Sequence, residues 1–324
     1  MRPIAVAVAF AGVLIAVPAL AVDRLVDGAL TPCVAGALPH HPTISAAVSA
    51  AAPGETILVC PGTYREHVTV ATPDLTLRAQ GAVHVSAPSG ADSVFRITAT
   101  RVTLEGFDVS GSRGIDACAV RVVEGDDADI RGLRVHHSTH AICIAGGGGH
   151  RLRDNVLEAN AGIAIAINRA GAEVSHNTTS HSGILGLVVG GCDTRPVIVR
   201  DNTFTERTAM SLIACDALVT DNTVRGDDTD VGILATGGGT VIQRNAIGHT
   251  RVAVKLIAAS GGTVSLNTIT ASTTGIDLSE STGVTVTGNR VSGSTVVDCA
   301  WDATGRNVLA NNSCGTQQPP GTFD

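Results

Sequence analysis

Val199-Arg200-Asp201-Asn202-Thr203-Phe204 returns twenty residues later as Val219-Thr220-Asp221-Asn222-Thr223-Val224, with asparagine in the same place and apolar residues three before and two after it. Working outward from that pair, the asparagine recurs as Asn155, Asn177, Asn202, Asn222, Asn245, Asn267 and Asn289, at intervals of 22, 25, 20, 23, 22 and 22 residues. Three residues before each stands an apolar side chain (Leu152, Val174, Val199, Val219, Ile242, Val264, Val286), and two after stands another in every case but Thr179. Glycine precedes the asparagine by six at Gly149, Gly171, Gly239, Gly261 and Gly283. A fixed period of this length marks a repeat architecture. Three short strands and three turns in ~22 residues make one coil of a parallel sheet, and coils stack at roughly 4.8 Å. Asparagine suits the bend between strands, because it tolerates left-handed backbone and its amide offers a donor and an acceptor along the stack. A helical solenoid would need apolar spacings of three and four over ten or more residues, whereas these runs alternate over four to six.

Upstream, Val102 to Val109 and Ile130 to Val135 keep the apolar pattern but put Phe107 and Leu133 where later coils have asparagine. Gln80 is expected to open the series and Asn311-Asn312 to close it, giving ten or so coils. The fold expected is all-β: a single-stranded right-handed parallel β-helix over residues 57–314, behind an N-terminal segment and short capping helix at 22–56. Within Pro42 to Gly54, Thr43 can cap a helix whose Ile44, Ala47, Val48 and Ala51 share a face, and Pro53-Gly54 stops it. Such a lid covers a coil end that would otherwise expose core and an unpaired strand edge.

Residues 1–21 have the form of a cleaved signal peptide: Arg2, an apolar stretch from Ile4 to Val17, then Pro18-Ala19-Leu20-Ala21. The mature chain is therefore expected to be secreted, extracellular or periplasmic, with no membrane span, and monomeric; residues 315–324 form a tail. Eight cysteines agree with an oxidising compartment. Three pairs sit about one coil apart in sequence, so Cys118 is expected to bond Cys143, Cys192 to bond Cys215 and Cys33 to bond Cys60, with Cys299 joining Cys314. A metal site would show tight Cys-x-x-Cys spacing, which is absent. The formal net charge is −7 and Lys255 is the only lysine, so no basic patch draws nucleic acid. With one Trp, one Tyr and five Phe there are few rings on which sugars or bases can stack.

The helix, Pro53-Gly54-Glu55-Thr56-Ile57, Pro61-Gly62-Thr63-Tyr64-Arg65-Glu66 and the following Gly-Ile and Asn-Thr-Ile coils resemble the right-handed parallel β-helix repeat proteins of the pectate-lyase-like superfamily, over residues 43 to about 314. That resemblance implies the fold and leaves activity open, since catalytic and non-catalytic members share it. Tyr64-Arg65-Glu66 is similar to the start of pectin methylesterases, but their later paired aspartates are missing. Arg195-Pro196-Val197-Ile198-Val199-Arg200 has the ingredients of the pectate lyase Arg-x-Pro-x-x-Arg pattern in the wrong spacing. Gly125-Asp126-Asp127 and Gly226-Asp227-Asp228 lack the companion motifs of polygalacturonases, and the Asp-Pro-His-Asp of mannuronan epimerases is absent.

Two columns of polar residues could still form a site. Asp154, His176, Asp201 and Asp221 immediately precede ladder asparagines on four successive coils, where a histidine beside carboxylates could act as general acid or hold a cation. His137, His181, Glu206 and His249 stand four after the ladder position, and His181 with Glu206 could pair as base and orienter or bind a metal. The bland alternative is a solvated turn face. His136, His137 and His140 are close in sequence without needing to converge. The first functional reading is a non-catalytic β-helix presenting a flat face to a polysaccharide or cell-envelope component, with no cofactor. The second is a polysaccharide lyase or glycoside hydrolase. It would use His176, Asp201, Asp221, His181 and Glu206 as catalytic candidates and Arg200 as carboxylate partner, with calcium as a bridge if the reaction is elimination. Long loops walling a groove near Asp201 and Glu206 would favour the enzyme, and a bare cylinder the binding protein.

Overall fold

The computed structural model describes residues 23–28, 33, 38–192, 195–228, 230–301 and 306–318. The signal segment and residues 319–324 lie outside the described residues. Each coil contributes one strand to each of three parallel sheets, as Val197–Arg200 does to sheet I, Thr203–Thr205 to sheet II and Met210–Ile213 to sheet III. Sheet I has 14 strands and sheets II and III have 12 each. Register is strict: Val199 lies between Val174 and Val219, and Leu212 between Val189 and Ala235. A slip by one residue would turn every inward side chain outward, so the buried Val, Ile and Leu columns fix the alignment.

There are twelve full coils rather than ten or so, because the first ones carry no ladder asparagine to announce them. Gln80 does not open the ladder. It is exposed at the start of a three-residue corner, 80–82, one residue longer than the corner that asparagine fills. Sheet I also begins earlier than Thr56, since Arg24–Val26 pairs with Thr56–Val59 and His40–His41 pairs outside it. Helix α1, Ile44–Ala50, closes that end by burying Ile44, Ala47 and Val48. Thr43 Oγ1 accepts the Ala46 amide at 3.1 Å, and the Glu66 carboxylate accepts the free amides of Ile44 and Ser45, both at 2.9 Å. Two orphan donors of the first turn are thereby satisfied from the neighbouring coil.

The asparagines do stack inside the corner between sheets I and II. Asn202 Oδ1 accepts both the backbone amide and the side-chain Nδ2 of Asn177, at 2.9 and 3.0 Å, while Asn202 Nδ2 donates to Val174 O and Arg200 O, each at 2.8 Å. The pattern repeats from Asn155 to Asn289 and ends on Asn312. One expectation is corrected: the left-handed residue is not the asparagine but the one before it. Asp154, His176, Asp201, Asp221, Arg244 and Leu266 have φ between 53 and 58°, and no ladder asparagine has positive φ. The amide is selected for its hydrogen bonds, and the bend falls on a residue whose side chain is left outside.

All four expected disulfides form, Cys33–Cys60, Cys118–Cys143, Cys192–Cys215 and Cys299–Cys314, with Cα separations of 5.5, 6.0, 5.0 and 6.0 Å. Among the described residues no helix is long and apolar enough to cross a membrane.

Candidate functional site

The first polar column stands at the left-handed position of the sheet I to sheet II corner, on the outside of the coil. Its aspartates are already engaged. Arg200 donates to Asp201 Oδ2 at 2.7 Å, and Arg244 Nε donates to Asp221 Oδ1 at 2.9 Å. The Arg244 hydrogen bond, more than any other influence, holds the Asp221 carboxyl below the usual carboxylate range. Arg200 also gives Nε to Glu173 Oε1 at 2.9 Å, so the residue expected to receive a substrate carboxylate carries two of the protein's own. His176 lies beside Arg151, Arg153 and Arg200 in an open depression. The column exists as a stack, built as a lattice of surface ion pairs.

The second column brings His181 and Glu206 together beside a shallow cleft of about 280 Å³, shared with Arg207, Arg225 and Asp227. Glu206 is only 5% exposed. Its Oε2 accepts the backbone amide of Ser182 at 2.8 Å, while Oε1 has no hydrogen-bond partner among the described residues. Burial pushes this carboxyl up, more strongly than the Ser182 amide and His181 hold it down. The same inner corner two coils earlier explains the geometry: Asn160 Oδ1 accepts the Ser138 amide at 3.1 Å and its Nδ2 donates to Val135 O at 3.1 Å. Glu206 therefore occupies a second, shorter ladder position, keeping the acceptor of asparagine and gaining its donor only when protonated. His137, His181 and His249 are left-handed corner residues pointing outward, with φ of 51, 57 and 55°. The corner segments by this cleft, 206–209 and 226–230, are too short to build walls.

What the sequence did not reveal is the outward face of sheet II. Downstream, Thr178, Thr203 and Thr223 sit side by side in register, then Ala246 and Thr268. Upstream, the same face gathers His84, Asp108 and His136 from three neighbouring strands. Of the local histidine cluster, His136 and His137 meet at 2.7 Å, whereas His140 turns away to accept the Ile163 amide at 2.9 Å. Strand register brings His84 in from some fifty residues away, and no local spacing could have announced it.

The chain matches two family models, one described as a right-handed beta helix region over residues 118–230 and one as periplasmic copper-binding protein (NosD) over residues 196–318. No curated protein matches it in sequence. Among solved structures it is similar to the catalytic unit of a GH87 alpha-1,3-glucanase from Streptomyces thermodiastaticus, with a TM-score of 0.66, 18% identity, and coverage of 86% of this chain and 62% of that one. It is also similar to the A-module of the mannuronan C-5 epimerase AlgE6 from Azotobacter vinelandii (TM-score 0.54, 13% identity, 85% and 90% covered). A third is an alginate lyase from a Paenibacillus species (TM-score 0.55, 14% identity, 83% and 96% covered). The chain thus spans less than two thirds of the glucanase unit, and identities this low speak for the coil alone. From the repeat, the three stacked sheets and these matches together, the chain is a right-handed parallel β-helix protein.

Proposed function

We propose that this is an exported, non-catalytic β-helix whose sheet II face binds an extended polysaccharide or similar envelope polymer lying along the stack. The observation that carries the reading is the flat threonine row, Thr178, Thr203 and Thr223, bordered by corners too short to wall a groove. Each hydroxyl is both donor and acceptor, and a linear polymer running down the row meets one about every 4.8 Å. Four disulfides suit an oxidising, exported setting. The solved neighbours named for glucan and uronate chemistry support a polysaccharide as the polymer.

An enzymatic alternative rests on one feature, the buried, protonation-prone Glu206 beside a cleft that Asp227 also lines. Hydrolysis would need both carboxyls to reach one bond, roughly 5–10 Å apart. One experiment separates the two. Purified protein is sedimented with insoluble glucan and with alginate gels, with and without calcium, while new reducing and unsaturated ends are counted. The binding reading expects co-sedimentation without new ends, weakened at least about tenfold by Thr203→Glu combined with Thr223→Glu. New ends that vanish in Glu206→Gln or Asp201→Ala would overturn it.

A further inference from the structure

Three strands of sheet II, Val83–Ser86, Asp108–Ser110 and Arg134–His136, lie side by side near the N-terminal end of the stack. Asp108 is the register partner of His84, and Ser110 that of His136. Outward alternation therefore places two imidazoles and one carboxylate on a single patch of the face. Asp108 Oδ1 lies 3.5 Å from His84 Nδ1 and 2.7 Å from His136 Nε2. One ligating atom from each residue lies within 4.8 Å of the other two. We propose that His84, Asp108 and His136 form a binding site for a single late first-row divalent metal ion of the Zn²⁺ or Cu²⁺ class.

Donor chemistry selects the class. Two neutral imidazoles with one carboxylate are borderline ligands that suit zinc and copper, whereas calcium and magnesium want oxygen alone. Spacing agrees as well. Ligands held about 2.0–2.1 Å from a tetrahedral ion stand roughly 3.4 Å apart. The His84 to Asp108 distance is close to that value at 3.5 Å, and His136, now 2.7 Å from Asp108, needs only a small outward swing.

The outer shell is also in place. His84 Nε2 is 3.3 Å from Ser110 Oγ, and His136 Nδ1 is 2.7 Å from His137 Nδ1. Asp108 Oδ2 faces Arg134 at 3.4 Å, which itself bonds Glu158. Every ligand thus has its second polar atom held by a neighbour, the arrangement that fixes tautomer and ring orientation in metal sites. The side chains of His84 and Asp108 are each 34% exposed and that of His136 is 15% exposed, so an ion can enter and keep a position open to solvent. The three residues lie upstream of the segment that matches the copper-binding family model, and that match plays no part in this assignment.

The test uses tag-free full-length protein, stripped with chelator and titrated separately with Zn²⁺ and Cu²⁺ by calorimetry, with the Cu²⁺ sample also examined by electron paramagnetic resonance. One ion per chain is expected, with couplings from two imidazole nitrogens. His84→Ala, Asp108→Asn and His136→Ala should each weaken binding at least about tenfold, and either histidine variant should lose one nitrogen coupling. His176→Ala and His40→Ala should bind as the wild type does. Unchanged circular dichroism and melting would show that the outward substitutions leave the coil intact. Failure to retain one ion per chain, or wild-type affinity in all three ligand variants, would overturn the site. Polymer sedimentation, which reads the threonine row further along the face, would be untouched by either result.

Discussion

Upstream of residue 150 the corner between sheets I and II is plugged by Phe107 and Leu133, and downstream the same corner is strung with amides from Asn155 to Asn312. Both fillings are buried, yet they follow different rules. An apolar plug needs only volume, whereas a buried amide needs an acceptor and a donor supplied by the next coil. Asparagine is therefore tolerable only as an unbroken file with two special ends, and both are visible: the Leu133 amide caps Asn155 Oδ1 at 3.0 Å, and Asn312 receives Asn289. The outer face of sheet II divides in parallel. Upstream it carries the imidazole cluster and the Arg134–Glu158 pair, and downstream it carries mainly threonine, while ion pairs line the sheet I side of both halves, as Arg78–Glu105–Arg131 and Arg200–Glu173 show. Because the inside sets the coil, the outside of each half was free to acquire its own chemistry.

The hardest blow to this contrast is Asn222→Leu. It strands the Asn202 amide and takes the side-chain donor from Val199 O, while Asn245 Oδ1 keeps only the backbone amide of residue 222, for a loss of roughly 2–6 kcal/mol at about 1–3 per stranded group. Urea unfolding measures it, and a loss no larger than that of a surface change would mean the file is decorative. In the other half Leu133→Ala should cost about 2–5 kcal/mol as an ordinary cavity. Leu133→Asn, which lengthens the file by one member, should lose less than Leu133→Ala.

A medium effect is expected at the second ladder. Glu206 has its carboxyl raised by burial, so the folded state holds that proton more tightly than the unfolded one. Stability from this group accordingly falls as pH climbs from the unfolded to the folded value and is level above it. Glu206→Gln keeps an acceptor for Ser182 and adds a permanent donor. The stability gap between variant and wild type should open across that interval and then stay constant, and a gap that narrows with rising pH would contradict the ladder assignment. Smallest of all is Asp221→Asn. This carboxyl is held low by Arg244, so its contribution is present above the unfolded value and lost as pH falls through the folded one. Both partners are largely exposed, and the change in urea midpoint should be near the limit of resolution and vanish in high salt.

Periodicity made the coil, the ladder, the capping helix and the disulfides legible, because each depends on residues one turn apart. Strands without a ladder residue were not legible: Arg24–Val26 and His40–His41 are too short to show alternation, and Gln80 sits in a longer corner than its place in the series suggested. The Asp201 and His181 columns could be placed, but not the arginines that occupy the aspartates nor the ladder that explains Glu206. His84, Asp108 and His136 escaped altogether, since their meeting depends on register across three coils and two residues' offset along a strand.

Asn222 and Asn245 are 23 residues apart and make the same contacts to their neighbours. Residues 222–244 contain no cysteine, so their removal would bring Asn245 under Asn202 with every disulfide partner still in reach. The molecule is in this sense a ruler whose length can be changed one graduation at a time without redrawing its cross-section, and the distance between the imidazole cluster and any feature on the far half is set by how many graduations intervene.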